Sequence, residues 1–302
     1  MSATSDVKDR ISSVENIKQI THAMEMVAAV RLRRAEQRIE ALRPYAAAIR
    51  RMTRQAAEAA GTEISGLPIL SEHASEDAVS LLLVTGDRGL AGAFNSQIIR
   101  AGLHAGGKHE RGGRTVAYSA VGSRGVSTLT FRDKDLVGRY VGFTDRPSYA
   151  DAREIAEALI AAYVDGEADR VEIFYNGYIS PLSQEVRRET LLPLAQATIF
   201  EGSESDADDG DEPSGPHALV EYEPDAEEIL ARLVPDYVEI SVYRALLEST
   251  ASEHGARMTA MRTAAENAGE LIDDLTLEMN RARQAEITQE ILEVCAGAES
   301  LT

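Results

Sequence analysis

Apolar residues recur at helical spacing along the C-terminal part of the chain. After Pro235, the last of nine prolines, 67 residues remain. As one helix they would extend roughly 100 Å, at about 1.5 Å per residue. The apolar positions step by three and four residues without interruption, which is the a/d register of a coiled coil. They are Met258, Met261, Ala265, Ala268, Ile272, Leu275, Met279 and Ala282. The register then shifts by one residue and continues through Ile287, Ile291, Val294 and Ala298. This length predicts a coiled coil or a helical shaft.

The first sixty residues show a similar spacing. Its apolar positions are Val7, Ile11, Val14, Ile17, Ile20, Met24 and Val27, followed by Leu32, Ala35, Ile39 and Leu42. Pro44 predicts either a bend or the start of a second segment after Arg43. Two interpretations remain open. The two ends are amphipathic helices that pack separately on a globular body, or they pair as an antiparallel coiled coil, which their matched lengths favour.

The middle of the chain, residues 75–200, has the pattern of an α/β domain. Apolar or alternating runs predict strands at 79–84, 115–121, 136–141, 171–175 and 183–191. Helical spacing follows from Phe94, after Gly122 and over 149–164. Strands that alternate with helices indicate a Rossmann-like, mainly parallel sheet. We therefore expect an N-terminal helix over 1–60, the α/β domain over 75–200, and a C-terminal helix over 222–302.

The charge of the chain is uneven. The formal net charge is -19, yet residues 1–60 carry 11 basic against 7 acidic side chains, and residues 201–228 carry 12 acidic and no basic ones. Such an acidic protein is not expected to bind nucleic acid, which requires clustered Lys and Arg. The segment 201–217, EGSESDADDGDEPSGPH, lacks large aliphatic residues and predicts a solvated, disordered insertion.

Composition also bears on the compartment. One cysteine, Cys295, excludes a disulfide framework and fits a reducing environment. No apolar run approaches the roughly 20 residues that span a bilayer, and the first residues lack the apolar core of a signal peptide. These features predict a soluble intracellular chain.

The turn after the first strand is the strongest candidate for nucleotide chemistry. Gly86, Gly89 and Gly92 lie where a phosphate would meet backbone N–H groups and a helix N-terminus. The spacing is G-x-x-G-x-x-G rather than G-x-G-x-x-G, and Val121-Gly122 replaces the acidic residue that would bind a ribose. A tight turn that needs positive φ is the favoured interpretation.

Other catalytic or metal-binding patterns are absent from the sequence. The six histidines make neither H-x-x-x-H nor H-E-x-x-H, and there is no G-x-S-x-G elbow and no EF-hand spacing. We therefore expect no catalytic residue, no cofactor and no bound metal.

Four segments resemble one known family. The C-terminal RQAEITQEILEVCAGAESL closely resembles the signature of the γ subunit of F-type ATP synthases. RISSVENIKQITHAMEMVAAVRLRRAEQRIEALRPY is similar to that family's first helix, TGDRGLAGAFN to its central motif, and VEYEPDAEEIL to the segment that enters its last helix. The matches occur in order along nearly the whole chain. Where the family often has a lysine and a cysteine, this chain has His22 and Ala91, and its acidic insertion is unusual.

The resemblance implies a rotor shaft without a catalytic site. In this family, the terminal helices form an antiparallel coiled coil inside a ring of three α and three β subunits, and the α/β domain sits on the membrane c-ring beside the ε subunit. One copy per complex couples proton flow to ATP synthesis or hydrolysis in β. The implied location is peripheral, on the cytoplasmic face of the bacterial cell membrane. No small-molecule ligand is implied.

The resemblance also assigns contact residues. Arg283, Gln284, Thr288 and Glu290 correspond to contacts with the β catch loops. Ile291, Val294 and Leu301 correspond to the apolar tip in the α/β sleeve, and Met24 faces the β lever helices. Tyr222, Glu223 and Asp225, with Arg43 as a weaker candidate, correspond to the foot near the c-ring. A nucleotide-binding or NAD-dependent enzyme and a structural coiled-coil adaptor remain the alternative functions.

Overall fold

The computed structural model describes residues 3–60, 68–71, 73, 75–194 and 226–299. Its helices are α1 (Ala3–Ala60), α2 (Phe94–Arg111), α3 (Ser123–Phe131), α4 (Tyr149–Val164) and α5 (Ala226–Glu299). Its strands are β1 (Ala78–Val84), β2 (Thr115–Val121), β3 (Leu136–Tyr140), β4 (Arg170–Ser180) and β5 (Ser183–Leu192). The acidic insertion 201–217 lies outside the described residues.

The chain divides into two compact units. Met1–Val30 and Arg257–Thr302 form the first, and Arg31–Ala256 forms the second. The first unit therefore combines the beginning of α1 with the end of α5, and the second contains the sheet.

The two helices of the first unit run antiparallel. Arg262 donates from Nε to Glu25 Oε1 at 2.8 Å. A Cβ added at Gly269 would lie 3.1 Å from Lys18 Nζ. Position 25 thus faces position 262, and position 18 faces position 269. Residue numbers rise along one helix and fall along the other, as in an antiparallel pair. The predicted antiparallel coiled coil is confirmed.

The seam on α5 follows the predicted register as far as Ala282. Met261, Ala268 and Leu275 are buried. The remaining predicted positions, Met258, Ala265, Ile272, Met279 and Ala282, are partly buried. Helix α5 continues beyond Ala282 as the spacing predicts, but Ile287, Ile291 and Val294 are exposed, so the seam between the two helices ends before them.

The seam on α1 departs from the apolar spacing. Ile17, Ile20 and Val27 follow that spacing but are exposed, so their predicted place in the seam is wrong. The partly buried Thr21 and the buried Ala28 instead continue the seven-residue repeat that begins at Val7 and Val14. Glu25 is tolerated beside them because Arg262 neutralises its charge.

The second unit contains one five-stranded sheet in the order β3-β2-β1-β4-β5. β1 pairs in parallel with β2 and β4, and β2 pairs in parallel with β3. β5 is antiparallel to β4. The predicted mainly parallel, Rossmann-like sheet is confirmed. All of β1 except Ala78 is buried, as expected for a central strand with helices against both faces.

Helices cover both faces of this sheet. One apolar cluster includes Ile155, Leu159 and Tyr163 of α4 with Val238, Val242 and Leu246 of α5. A second cluster, on the other face, includes Phe94 and Ile98 of α2 with Leu129 of α3. A third joins Ile49 and Ala56 of α1 to Leu230 and Val234 of α5. The sheet is thereby held between α2 and α3 on one side and α4 and α5 on the other.

Both long helices contain a proline. Pro44 lies inside α1 and Pro235 lies inside α5. Each proline removes one backbone N–H from the helical hydrogen-bond ladder. Since α1 continues through Pro44, no separate helix begins after Arg43.

Candidate functional site

Asp87 ties together three loops at the carboxyl end of the parallel strands. One carboxylate oxygen accepts hydrogen bonds from the backbone N–H and the hydroxyl of Ser123, both at 2.9 Å. The other accepts from the N–H of Gly142 at 2.9 Å and from the N–H and hydroxyl of Thr144 at 3.3 and 3.0 Å. Burial raises the pKa of this carboxyl, but these hydrogen bonds outweigh it and hold the pKa below its usual 3.8. Asp87 therefore holds the loops after β1, β2 and β3 in one arrangement.

Helix α5 covers the same edge of the sheet with polar side chains. The Thr250 hydroxyl donates to the Thr144 carbonyl at 2.9 Å, and the Ser252 hydroxyl donates to the Asn176 carbonyl at 3.0 Å. The cavity beneath, lined by residues that include Thr85, Val121 and Ser249, measures about 10 Å³. That volume is at most enough for about one water molecule. A nucleotide has no room there.

The glycine turn is shaped by this packing. Gly92 has φ 55, as the tight-turn interpretation predicts, but Gly86 does not have a positive φ. A Cβ at Gly86 would lie 2.7 Å from Oε2 of Glu253. Gly86 therefore allows α5 to approach the turn, which the sequence did not indicate. Gly122 has φ 87, and a Cβ there would lie 2.4 Å from the Thr85 carbonyl oxygen.

The predicted catch-loop residues occupy the part of α5 that follows the paired seam. Arg283, Gln284, Thr288 and Glu290 are all exposed. The Thr288 hydroxyl donates to the Gln284 carbonyl at 2.8 Å, so its lone pairs remain available as acceptors. These side chains form a polar surface on a single helix.

Large apolar side chains stand beside that polar surface. Ile291 is 57% exposed, Leu292 63% and Val294 72%. Apolar side chains clustered on one exposed helix mark a surface that a partner covers. Leu301 lies outside the described residues.

Helix α1 carries a second exposed apolar surface. Ile17, Ile20, Val27 and Val30 are each more than half exposed. The sequence did not predict this surface because Ile17, Ile20 and Val27 were assigned to the seam. The signal was present in the steps of four and three that join Val7, Ile11 and Val14. Continued along the helix, these steps pass through Thr21 and Ala28 and leave those four residues outside the seam.

The structure describes two of the remaining predicted contact residues, Met24 and Arg43. Met24 is partly buried on α1, and Arg43 is exposed next to Pro44. The structure thus places the catch-loop positions and the tip positions Ile291 and Val294 together on α5, whereas Leu301, Tyr222, Glu223 and Asp225 lie outside the described residues.

Comparison with known proteins identifies the family. The sequence model of the family described as ATP synthase matches residues 3–301. The ATP synthase gamma chain of Rubrobacter xylanophilus is 43% identical over 301 residues, covering 100% of this chain and 99% of that protein. The chain belongs to the ATP synthase gamma chain family. The family member from Streptomyces coelicolor is 44% identical over 299 residues, covering 97% of this chain and 94% of that protein.

Chains of two solved ATP synthase structures have a similar fold. A chain of the central stalk and c-ring structure of the Tetrahymena thermophila mitochondrial ATP synthase is 26% identical, with a TM-score of 0.59. The similarity covers 81% of this chain and 99% of that one. A chain of the Euglena gracilis mitochondrial ATP synthase structure, in rotational state 3, has a TM-score of 0.68 at 16% identity, covering 99% and 94%.

None of the helices that the structure describes combines the length and the apolarity needed to cross a bilayer.

Proposed function

We propose that the chain is the rotating central shaft of an F-type ATP synthase. It couples proton flow through a membrane c-ring to ATP synthesis or hydrolysis at catalytic β subunits, and it has no catalytic site of its own. Membership of the gamma chain family is the observation that carries this proposal: the ATP synthase family model matches residues 3–301, and gamma chains at 43–44% identity cover nearly the whole chain. The filled sheet edge, where α5 occupies the place of a nucleotide, agrees with it.

The polar surface after the seam is the proposed contact with the β catch loops. Arg283 offers a planar guanidinium that pairs two hydrogen bonds with a carboxylate. Gln284 and Glu290 add a donor and an acceptor, and Thr288 adds an acceptor, since its proton is used within the helix. Their exposure supports the assignment.

The apolar tip is the proposed bearing surface. Ile291 and Val294, together with Leu301, would turn within an apolar sleeve of the α and β subunits. The exposure of Ile291 and Val294 in the chain alone supports this, because removing such a side chain from water contributes about 1.5–3 kcal/mol. Met24 is the proposed contact with the β lever helices.

The foot and the membrane side complete the proposed assembly. Tyr222, Glu223, Asp225 and Arg43 are the proposed residues near the polar loops of the c-ring. One copy of the chain would join three α and three β subunits, the ε subunit and the c-ring, as a peripheral protein on the cytoplasmic face of the bacterial cell membrane.

Reconstitution with α and β subunits tests the proposed function. We expect the full chain to assemble with them in one copy and to support ATP hydrolysis that depends on its presence. An assembly that forms equally well and hydrolyses ATP equally fast without the chain would contradict the rotor function. Assembly without any effect on hydrolysis would favour the coiled-coil adaptor.

A further inference from the structure

An arginine-lined recess lies in the second unit. Arg31, Arg34 and Arg38 are spaced by three and four residues, so they share one face of α1. Arg146 joins them from the loop that follows β3. The recess measures about 440 Å³, which is within the size range of small-molecule sites. Four arginines converge on it in a chain whose net charge is -19.

The acidic side chain of the recess is already paired. Asp145 Oδ2 lies 2.8 Å from Arg31 Nη1 and 3.5 Å from Arg88 Nη1. Within the described part of the chain, Arg34, Arg38 and Arg146 make no ion pair with a carboxylate. The recess therefore has positive charge that the described carboxylates do not neutralise.

The walls of the recess are held in place before any ligand arrives. Asp87 accepts hydrogen bonds from Gly142 and Thr144, which fixes the loop that leads to Asp145 and Arg146. This loop follows β3 at the carboxyl edge of the parallel sheet, where α/β sheets bind their ligands. The edge at β1 is filled by α5, whereas the recess beside the β3 loop is open.

We propose that this recess binds a small phosphate-bearing anion, such as pyrophosphate or the phosphate tail of a nucleotide. Arginine guanidinium groups bind phosphate oxygens through paired hydrogen bonds. The site is concave, with the partly buried Phe143 and the buried His254 in its lining, and this shape fits a compact polyanion better than a flat acidic protein surface. The sequence had indicated no small-molecule ligand, and the proposal does not depend on the rotor function.

Protection of arginines in the unaltered chain tests the proposal without any variant. Phenylglyoxal modification, read by mass spectrometry, is compared with and without pyrophosphate. We expect pyrophosphate to slow modification of Arg34, Arg38 and Arg146 and to leave the exposed Arg33 and Arg51 unchanged. Equal protection of all five arginines, or none, would overturn the proposal.

Calorimetry on matched variants of the full chain provides the second measurement. We expect saturable binding of one pyrophosphate per chain, weakened about tenfold in Arg34→Gln and in Arg38→Gln. Arg33→Gln removes the same charge from the same helix outside the recess and should bind as the original chain does. An equal loss of pyrophosphate affinity in all three variants would show that only the net charge of the chain matters, and would contradict a specific site.

Competition tests whether the site recognises the phosphate groups themselves, whatever molecule carries them. ADP and inorganic phosphate should each displace pyrophosphate from the site. If poly-glutamate binds to these arginines and pyrophosphate fails to displace it, the recess recognises an acidic protein segment and the proposal is wrong.

Discussion

At the scale of single residues, Glu172 on β4 is a fully buried charge held by its neighbours. It accepts hydrogen bonds from Arg188 Nε at 2.9 Å and Nη2 at 2.7 Å, and Arg170 lies 3.0 Å away. Burial raises the pKa of this carboxyl, but the hydrogen bond from Arg188 and the charges of Arg188, His109 and Arg170 lower it below its usual 4.5. The carboxylate therefore depends on its arginines to remain charged inside the protein.

Replacement of Arg188 alone should destabilise the fold more than replacement of both Arg188 and Glu172. Arg188→Met leaves Glu172 without its main partner, and we expect the free energy of unfolding to fall by about 3–5 kcal/mol. The double variant Glu172→Met, Arg188→Met should lose clearly less, since the buried carboxylate is removed together with its main partner. Urea unfolding at pH 7 measures both, with the exposed Arg232→Met as control. A double variant at least as unstable as the single one would contradict this account.

Asp87 should stabilise the second unit in a pH-dependent way. In Asp87→Asn, five donors lose a charged acceptor in a partly exposed site, and we expect a loss of about 2 kcal/mol at pH 7. Because the folded-state pKa is depressed, this stabilisation is present above the usual pKa of 3.8 and disappears as the pH falls through the folded value. Urea unfolding from pH 7 to pH 3 should show that the difference in free energy of unfolding between the original chain and Asp87→Asn becomes smaller. The exposed Asp165→Asn is the control. A difference that stays constant with pH would contradict the role of the charge.

At the scale of elements, the sequence predicted the α5 seam more accurately than the α1 seam. On α5, apolar side chains and the heptad coincide, so that spacing alone was sufficient. On α1, the inner positions include Thr21 and Glu25, and the apolar Ile17, Ile20 and Val27 lie outside. Spacing rules assume that apolar residues face inward, and they cannot detect that Arg262 pairs with Glu25 across the helices.

The strands could be predicted from local sequence, but the packing of α5 against the edge of the sheet could not. Buried runs such as Val79–Val84 indicate a strand without knowledge of its neighbours. The covering of the Gly86 turn by Glu253 joins residues far apart in the chain, and no local pattern reports it. The arginine recess is similar: the spacing of Arg31, Arg34 and Arg38 was visible, but the β3 loop opposite them was not.

The seam of the first unit can be tested at Leu275, which is 3% exposed. Leu275→Ala should destabilise the helix pair by about 2–4 kcal/mol, because it removes a buried side chain and leaves a cavity. Leu277→Ala, two residues away and 52% exposed, is the matched control and should change stability by less than about 1 kcal/mol. Hydrogen exchange of the α1 segment 5–25 measures the effect directly. Equal exchange in both variants would contradict the pairing.

At the scale of the whole molecule, Arg283 is the most direct test of the proposed catch-loop contact. Arg283→Glu would turn an attractive charge pair at the β subunits into a repulsive one. Loss of a buried interfacial pair costs about 2–5 kcal/mol, so we expect ATP synthesis driven by a proton gradient in membrane vesicles to fall at least several-fold. Arg281→Glu makes the same change on nearly the opposite side of α5 and should have a smaller effect. Equal synthesis rates in the two variants would count against the assignment.

The rotation of the chain itself tests the central claim. A bead is attached to an exposed position of the second unit in a complex whose α and β subunits are fixed to a surface, and ATP is supplied. We expect the bead to turn in one direction at a speed that follows the rate of ATP hydrolysis, and to stop when ATP is removed. Sustained ATP hydrolysis by such complexes while the attached bead does not rotate would contradict the rotor function.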